Sequence, residues 1–228
     1  MVYNWLKIVL SAFLPQPCRL CGAAGDRDRC LCDGCARDLP ILGPACPRCA
    51  LPLSADAPLC GRCLRRPPPF DAALAPLRYA APVDTLVHEF KFRGRLASGR
   101  LLAELMADAV AERPRPQLLL PVPLHPRRLR ERGFNQAHEL ARLLGRRLGI
   151  PVDGELVRRM RDTPPQHELP AKARRANIRR AFALAHPPPA HVAVVDDVMT
   201  TGQTVAEIAR LLKRAGARRV EVWVAARA

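Results

Sequence analysis

Residues 194–204 read VVDDVMTTGQT, and this stretch decides the fold of the second half of the chain. It continues an apolar run from Val192 to Val195, which predicts a strand buried on both faces, as in a parallel sheet. We expect a loop over 196–204 at the carboxyl end of that strand, and a helix that begins near Val205. A strand, a short loop and a helix in this order indicate an α/β unit.

The predicted loop has the features of an anion site. A helix N-terminus presents unpaired backbone N–H groups, and Gly202 lets the backbone approach a ligand closely. Thr200, Thr201 and Thr204 add hydroxyl donors. We therefore expect this loop to bind a phosphate group.

Two acids stand directly before the loop. Ionised carboxylates only accept hydrogen bonds, so Asp196 and Asp197 suit hydroxyl groups or a hydrated cation. A ligand with a phosphate group and nearby vicinal hydroxyls would satisfy the loop and the acids together. Ribose 5-phosphate has this arrangement.

Strands and helices alternate along this region. The 3.6-residue spacing of apolar side chains predicts helices, and short continuous apolar runs predict buried strands. The predicted helices span 101–111, 135–148 and 205–215, and the predicted strands span 118–122, 191–195 and 220–225. This order predicts a doubly wound, mainly parallel sheet, in which ligands bind at the carboxyl ends of the strands.

All nine cysteines lie before residue 64. Eight form four Cys-x-x-Cys pairs, and moving the first two pairs by 28 residues places them on the last two. Two such pairs supply four thiolates for one tetrahedral zinc ion, so the repeat predicts two structural Zn²⁺ sites. The predicted ligands are Cys18, Cys21, Cys32 and Cys35 for the first site, and Cys46, Cys49, Cys60 and Cys63 for the second.

Other interpretations of the cysteines stay open in the sequence. Disulfides are rare in the cytosol, a thioredoxin-like site needs one Cys-x-x-Cys rather than four, and a metal-free remnant would seldom keep eight thiols. Ten residues separate successive pairs throughout, so spacing alone also permits a site made by the second and third pairs. The repeat favours sequential pairing, with Cys30 as a non-ligand.

The chain is strongly basic, with a formal net charge of +16. Most of the cations are arginines in a chain rich in alanine and proline, which also fits a coding bias. Between residues 121 and 181 there are 15 Lys/Arg and 6 Asp/Glu, a local net charge of +9. This excess indicates an anionic partner, either nucleic acid or a phosphorylated metabolite.

The sequence divides into three predicted segments. Residues 1–16 are expected to form an amphipathic helix, 17–66 the double zinc ribbon, and 70–228 the α/β domain, with three prolines at 67–69 between the last two. The first segment lacks the basic start and cleavage site of a signal peptide, and no apolar run is long enough to span a membrane. We therefore expect a cytoplasmic protein.

Several motifs, in order, resemble the ComF family (ComFC and GntX-like proteins), whose main domain is of the type I phosphoribosyltransferase kind. VVDDVMTTGQT resembles the signature with which these transferases bind 5-phosphoribosyl 1-diphosphate (PRPP). The tandem cysteine pairs match as well. The other matching pieces are HEFKF at 88–92, PVP at 121–123, RGFNQ at 132–136, and QH at 166–167 followed by Leu169, Arg174, Asn177 and Phe182. The resemblance covers nearly the whole chain.

The resemblance implies roles for individual residues. The two acids would hold the ribose hydroxyls, the threonine loop would wrap the 5-phosphate, and the loop 123–132 would face the diphosphate, which Mg²⁺ bridges. Residues 158–177 would close over the site as a flap and exclude water. The implied PRPP-binding residues are Asp196, Asp197, Thr200, Thr201, Gly202, Gln203, Thr204, Pro123 and Arg127, and the implied catalytic residues are Asp196, Asp197 and Arg132.

A short basic and aromatic helix is also implied around His88 and Lys91. Two interpretations of it stay open. The helix either recognises a base or simply packs Phe90 and Phe92 into the core.

Two functions from different classes follow. The first is an enzyme, linked to competence and to DNA uptake or utilisation, that transfers phosphoribosyl from PRPP to a base and releases diphosphate. The alternative is a binding protein whose fold senses PRPP or a nucleotide. In that case the zinc ribbons and the arginine-rich face would hold single-stranded DNA or a competence helicase-type partner.

Overall fold

A computed structural model describes residues 17–26, 30–54, 57–161 and 181–228 of the chain. The predicted helix over 1–16 and residues 162–177 of the flap predicted over 158–177 lie outside these described residues. The cysteine-rich region contains two short helices, α1 (Asp33–Arg37) and α2 (Gly61–Arg65).

The elements that follow alternate between strand and helix, as predicted. In chain order they are β1 (Ala72–Leu74), β2 (Leu77–Arg78), α3 (Val83–Arg93), α4 (Leu96–Val110), β3 (Leu118–Pro121), α5 (Pro126–Arg132), α6 (Gln136–Leu148), β4 (Val157–Arg159), β5 (Phe182–Leu184), β6 (His191–Met199), α7 (Gln203–Arg214) and β7 (Arg219–Arg227).

The main sheet is parallel throughout. Its order is β1-β7-β6-β3, and β2 also pairs with β7. Strands β4 and β5 form a separate antiparallel ribbon. The parallel sheet confirms the predicted fold class.

Helices cover both faces of this sheet. Successive residues of a strand point to opposite sides, so a continuous apolar strand presents apolar side chains to both layers of helices. Val194 of β6 belongs to the core under α7, together with Ile208. Val195 belongs to the opposite core, with Phe90 of α3 and Leu140 of α6. The strand between these two cores is apolar on both faces, as the run before the acids indicated.

Strand β6 is longer than predicted. It ends at Met199 rather than at Val195, so Asp196 and Asp197 lie within the strand, and the prediction of a loop over 196–204 is wrong in its first half. The reason is β7, which pairs with β6 along its whole length. On the other side β3 ends at Pro121, opposite Val195. From Asp196 onward, β6 therefore has no pairing with β3, and this edge of β6 lies at the open end of the sheet.

The predicted helices are present with shifted ends. Helix α6 agrees with the prediction, and the Asn135 side chain caps it by accepting the N–H groups of Ala137 and His138. Helix α4 begins at Leu96 instead of residue 101, and α7 begins at Gln203 instead of near residue 205. In the described part of the chain, none of the helices combines the length and the apolar character that crossing a bilayer requires.

The cysteine-rich module packs directly on the sheet domain. Leu42 donates its backbone N–H to the Pro76 carbonyl at 2.8 Å. At the other end of the module, Arg19 donates to the Glu89 carboxylate at 2.5 Å and to the Ser98 hydroxyl at 3.0 Å. Each half of the module thus has its own attachment, and the boundary at residues 67–69 stays a prediction.

Candidate functional site

The two acids lie at the open end of the sheet, and their carboxylates are fixed by the backbone that follows them. The N–H of Asp197 donates to Asp196 Oδ1 at 2.9 Å, and the N–H of Val198 donates to Asp197 Oδ1 at 3.0 Å. Asp197 is only 2% exposed. These bonds hold both side chains in one orientation before any ligand arrives.

Lys91 of α3 supplies the counter-charge. Its Nζ lies 3.0 Å from Asp197 Oδ2, in an ion pair rather than a well-aligned hydrogen bond. Lys91 is therefore part of the site, which the sequence left undecided between base recognition and core packing. Of its two aromatic neighbours, Phe90 is fully buried in the core and Phe92 is 62% exposed.

The acids and the lysine shift one another's protonation. Burial raises the pKa of Asp196 well above its usual range, and the charge of Asp197 raises it further, while Lys91 offsets only part of this. Burial would lower the pKa of Lys91, but the charges of Asp197 and Asp196 outweigh it and raise that pKa. Lys91 is therefore protonated and positively charged, and Asp196 takes up a proton more readily than a surface aspartate.

The predicted loop over 123–132 is wrong from Pro126 onward, where helix α5 replaces it. This helix brings Arg132 to the acid cluster and leaves Arg127 turned elsewhere. The Arg132 guanidinium is close enough for the charges of Asp197 and Asp196 to act on its pKa, which burial lowers. It donates to Gln136 Oε1 at 2.5 Å. Arg127 pairs instead with Glu131 at 2.9 Å and is two-thirds exposed.

Arg132 also touches an exposed ring. Its guanidinium carbon lies 5.4 Å from the centroid of Phe92, and the His88 ring lies 5.0 Å from the same ring. Pro123, at the start of this loop, is buried. Of the three residues predicted in this loop, only Arg132 therefore carries a charge toward the acids.

The threonine loop has the backbone shape that an anion site requires. Gly202 has a φ of +73°, in the left-handed region that favours glycine, and it is the N-cap of α7. Within the described residues, nothing accepts a hydrogen bond from the backbone N–H of Thr200, Thr201 or Gly202. The Thr201 hydroxyl and the Gln203 Oε1 are buried and have no hydrogen-bond partner in the described chain. Buried groups of this kind normally have partners, so these polar atoms are available to bind a ligand.

The cysteines form two four-sulfur groups by sequential pairing. The first unites Cys18, Cys21, Cys32 and Cys35, and the second unites Cys46, Cys49, Cys60 and Cys63. In each group the sulfur atoms all lie within 4.8 Å of one another. Sequential pairing is confirmed, and Cys30 belongs to neither group.

The sulfur geometry fits zinc. A tetrahedral ion with Zn–S bonds of about 2.3 Å separates its sulfurs by about 3.8 Å. Cys21 Sγ lies 3.7 Å from Cys32 Sγ, and Cys49 Sγ lies 3.6 Å from Cys60 Sγ. These are two four-cysteine zinc-binding sites.

Backbone N–H groups prepare one thiol of the second site for metal. Burial would raise the pKa of Cys46, but the N–H groups of Cys60, Cys49 and Arg48 outweigh it and lower that pKa to about 7. The thiolate is the form that binds metal. This effect belongs to Cys46 alone in its Cys-x-x-Cys pair, because burial raises the pKa of Cys49.

Family models match both parts of the chain. A double zinc ribbon domain matches residues 9–64, and a phosphoribosyl transferase domain matches residues 130–228.

Curated relatives match along most of the chain. The DNA utilization protein YhgH of Salmonella typhi is 42% identical over 200 residues, covering 85% of this chain and 88% of its own. The protein of the same name in Escherichia coli K12 is 40% identical with the same coverage. Competence protein F of Haemophilus influenzae is 38% identical over 208 residues, covering 87% and 90%.

A solved structure gives only a distant likeness. The purine phosphoribosyltransferase of Pyrococcus horikoshii is 17% identical, with 53% of this chain and 66% of that chain covered and a TM-score of 0.32. The fold assignment rests on the sheet and the family model instead.

Zinc content gives the first prediction. The purified chain should hold two zinc ions, and Cys49→Ser should hold one, because three thiolates and a hydroxyl bind zinc more weakly than four thiolates. Elemental analysis by mass spectrometry measures the ratio. Cys30→Ser is the matched control and should keep both ions. Loss of an ion from that control would contradict the ligand assignment.

Stability against pH gives the second prediction. The pKa of Asp196 is raised in the folded state, so ionising it costs stability as the pH rises above the unfolded value of about 3.9. Asp196→Asn removes that cost, and when the two proteins are compared over the range from about pH 5 to about pH 8, its free energy of unfolding should exceed that of the parent protein. Urea unfolding of both proteins measures the margin.

Asp108→Asn is the control for this measurement, because Asp108 pairs with Arg147 away from the acid cluster. It should show no such gain. An Asp196→Asn protein that is less stable than the parent at the upper end of this pH range would contradict the sign.

Proposed function

This chain belongs to the ComF family, and from that premise we propose that it binds PRPP and transfers the phosphoribosyl group to a base with release of diphosphate. The observation that carries the proposal is the direct succession, at the open end of β6, of an acid pair and a loop whose N–H groups have no acceptor among the described residues. One ligand that presents vicinal hydroxyls and a phosphate would satisfy both.

The ribose part of the ligand would lie against the acids. Its 2- and 3-hydroxyls would donate to Asp196 and Asp197, which accept well because their carboxylates are already oriented. Lys91 lies 3.0 Å from Asp197 Oδ2 and holds this carboxylate in place beside the ring. With the ribose bound in this way, the Lys91 ammonium would lie near the ring and would favour negative charge that develops on the leaving group.

The phosphate end would lie at the start of α7. The unpaired N–H groups from Thr200 to Gly202, the Thr201 hydroxyl and the positive end of the helix dipole all favour an anion. The implied roles of Gln203 and Thr204 follow from their place in the first turn of that helix. Gly202, directly before them, supplies the left-handed turn from the loop into the helix.

The diphosphate would face Arg132. Mg²⁺ would enter with PRPP, because it binds phosphate oxygens and keeps several waters, and it would neutralise charge on the leaving diphosphate. In the reaction, the C1–O bond breaks with its electron pair on the diphosphate. A ring nitrogen of the base forms the new bond to C1 and releases its proton to solvent. Arg132 and Lys91 stabilise the charge that develops.

A role in DNA handling is the second candidate, and two observations favour it. Relatives that match most of the chain carry the names DNA utilization protein and Competence protein F. Helix α5 adds an exposed basic face beside the acid cluster, where Arg127 and Arg130 are open to solvent. Such a face suits the backbone of single-stranded DNA or of a partner that carries it.

PRPP binding gives the third prediction. Titration calorimetry of PRPP with Mg²⁺ into the zinc-loaded protein should show saturable binding, and Asp197→Asn should weaken it about 10- to 100-fold, the range for a lost hydrogen bond to a charged group. Asp108→Asn again supplies the control and should bind like the parent protein. A parent protein that binds no PRPP would refute the proposal.

DNA binding gives the fourth prediction. If α5 tracks a single strand, fluorescence anisotropy of labelled oligothymidine should show affinity that falls steeply with salt. Arg130→Ala should lower the slope of log K against log salt by about 0.7. Arg115→Ala makes the same charge change on an exposed loop after α4 and should leave the slope alone.

Asp197→Asn separates the two candidates, because it should impair PRPP binding and leave DNA binding intact. Absence of DNA binding at low salt would exclude the direct form of this second role.

A further inference from the structure

Two arginines bind backbone carbonyls at the start of the threonine loop (residues 200–204), which we call the anion loop. Arg62 donates from Nη2 to the Thr201 carbonyl at 3.0 Å. Arg227 donates from Nη1 to the carbonyls of Met199 at 2.7 Å and Thr200 at 2.5 Å. Three successive carbonyls of the loop are therefore bound to guanidinium groups.

These bonds decide where the front of the loop points. A trans peptide is planar, and its C=O and N–H point in opposite directions. Holding the carbonyls of Met199, Thr200 and Thr201 therefore turns the N–H groups of the next three residues away from the arginines. Those are the same N–H groups that have no acceptor among the described residues.

Both arginines are tied to the second four-cysteine site. Arg62 lies between the ligands Cys60 and Cys63 on α2. Arg227 is 5% exposed, and its Nε donates to the carbonyl of the ligand Cys49 at 3.2 Å. Metal ligand, arginine and loop carbonyl are thus joined by direct covalent or hydrogen-bonded connections.

The second site also matches Arg227 in charge. Four thiolates around one Zn²⁺ carry a net charge of −2, and a buried guanidinium beside them is stabilised by it. The charge of Arg227 is therefore balanced by the zinc site, while its Nη1 donates hydrogen bonds to the loop carbonyls.

The first four-cysteine site is attached to other elements. Its knuckle arginine, Arg19, binds Glu89 and Ser98 on α3 and α4 instead of the loop. The repeated ribbon therefore offers an internal comparison, with one copy against the loop and one copy against the helices.

We propose that metal occupancy of the second four-cysteine site sets the conformation of the anion loop, with Arg62 and Arg227 as the positioning residues. The ligand named in the test rests on the proposed function, but the coupling itself does not. Loss of metal from the second site would free α2 and Cys49 to move. The hydrogen bonds from Arg62 and Arg227 to the loop carbonyls would then be lost. Loss of metal from the first site would leave these hydrogen bonds in place.

Arg62 provides the first test, since it is exposed and its replacement leaves the core intact. Arg62→Ala should keep both zinc ions yet bind PRPP about tenfold more weakly, because one charge-assisted hydrogen bond is lost. Arg62→Lys should restore part of the affinity. Arg65→Ala, on the exposed side of the same short helix, is the matched control and should bind like the parent.

The two zinc sites provide the second test. Cys46→Ser with Cys60→Ser should lose PRPP binding, while Cys18→Ser with Cys32→Ser should bind within about twofold of the parent, because its ribbon does not hold the loop. Equal losses in both double variants would overturn the proposal, because they would indicate general destabilisation. Unchanged binding in the Cys46 and Cys60 double variant would overturn it as well.

A measurement without ligand keeps this proposal separate from the proposed function. The ¹⁵N order parameter of the Gly202 amide, which shares its peptide with the Thr201 carbonyl, should fall from a rigid value of about 0.85 toward about 0.6 in Arg62→Ala. The amides of Thr200 and Thr201 should stay rigid in this variant, because Arg227 still binds the carbonyls of their peptides. All three amides should stay rigid in Arg65→Ala. If the parent protein binds no PRPP, the proposed function fails, and the order parameters still decide the coupling. A rigid Gly202 amide in Arg62→Ala would refute it.

Discussion

The pairing of β6 with β7 is the interaction on which the rest of the structure depends. The two strands are parallel along their whole length and are buried by helices on both faces. Because β6 continues beyond the end of β3, its last residues reach the open end of the sheet while their backbone stays in a ladder. The same ladder places Arg227 beside Met199. One pairing thus positions the acids, the loop and the arginine behind the loop.

The features that could be predicted from the sequence are those that lie close together along the chain. The repeat of Cys-x-x-Cys pairs led to the correct sulfur groups, since each site uses ligands within 18 residues of one another. The succession of apolar strand, acids, threonine loop and helix was also visible as one local motif. Within this motif the start of α7 was misplaced by two residues, and the end of β6 by four, because two aspartates are unusual in a strand and the partner that supports them is β7.

The contacts that could not be predicted join distant parts of the chain. Lys91 meets Asp197 only because α3 crosses the end of the sheet, and no periodicity in HEFKF distinguishes a buried Phe90 from an exposed Phe92. Among several arginines after β3, helix α5 turns Arg132 toward the acids and Arg127 toward Glu131. The contact between Arg62 and Thr201 spans 139 residues and left no signal in the sequence.

The position of β7 has a consequence for the order of folding during synthesis. Strand β1 pairs with β7, so Ala72 meets Glu221 across the sheet. The cysteine ribbons can bind their ions as soon as Cys63 has left the ribosome, whereas β1 must wait for β7, which is translated much later. Non-local strand pairing of this kind is slow, and until it forms the unpaired strand edges and apolar side chains stay exposed to aggregation. Chaperone demand should therefore fall on the sheet rather than on the ribbons.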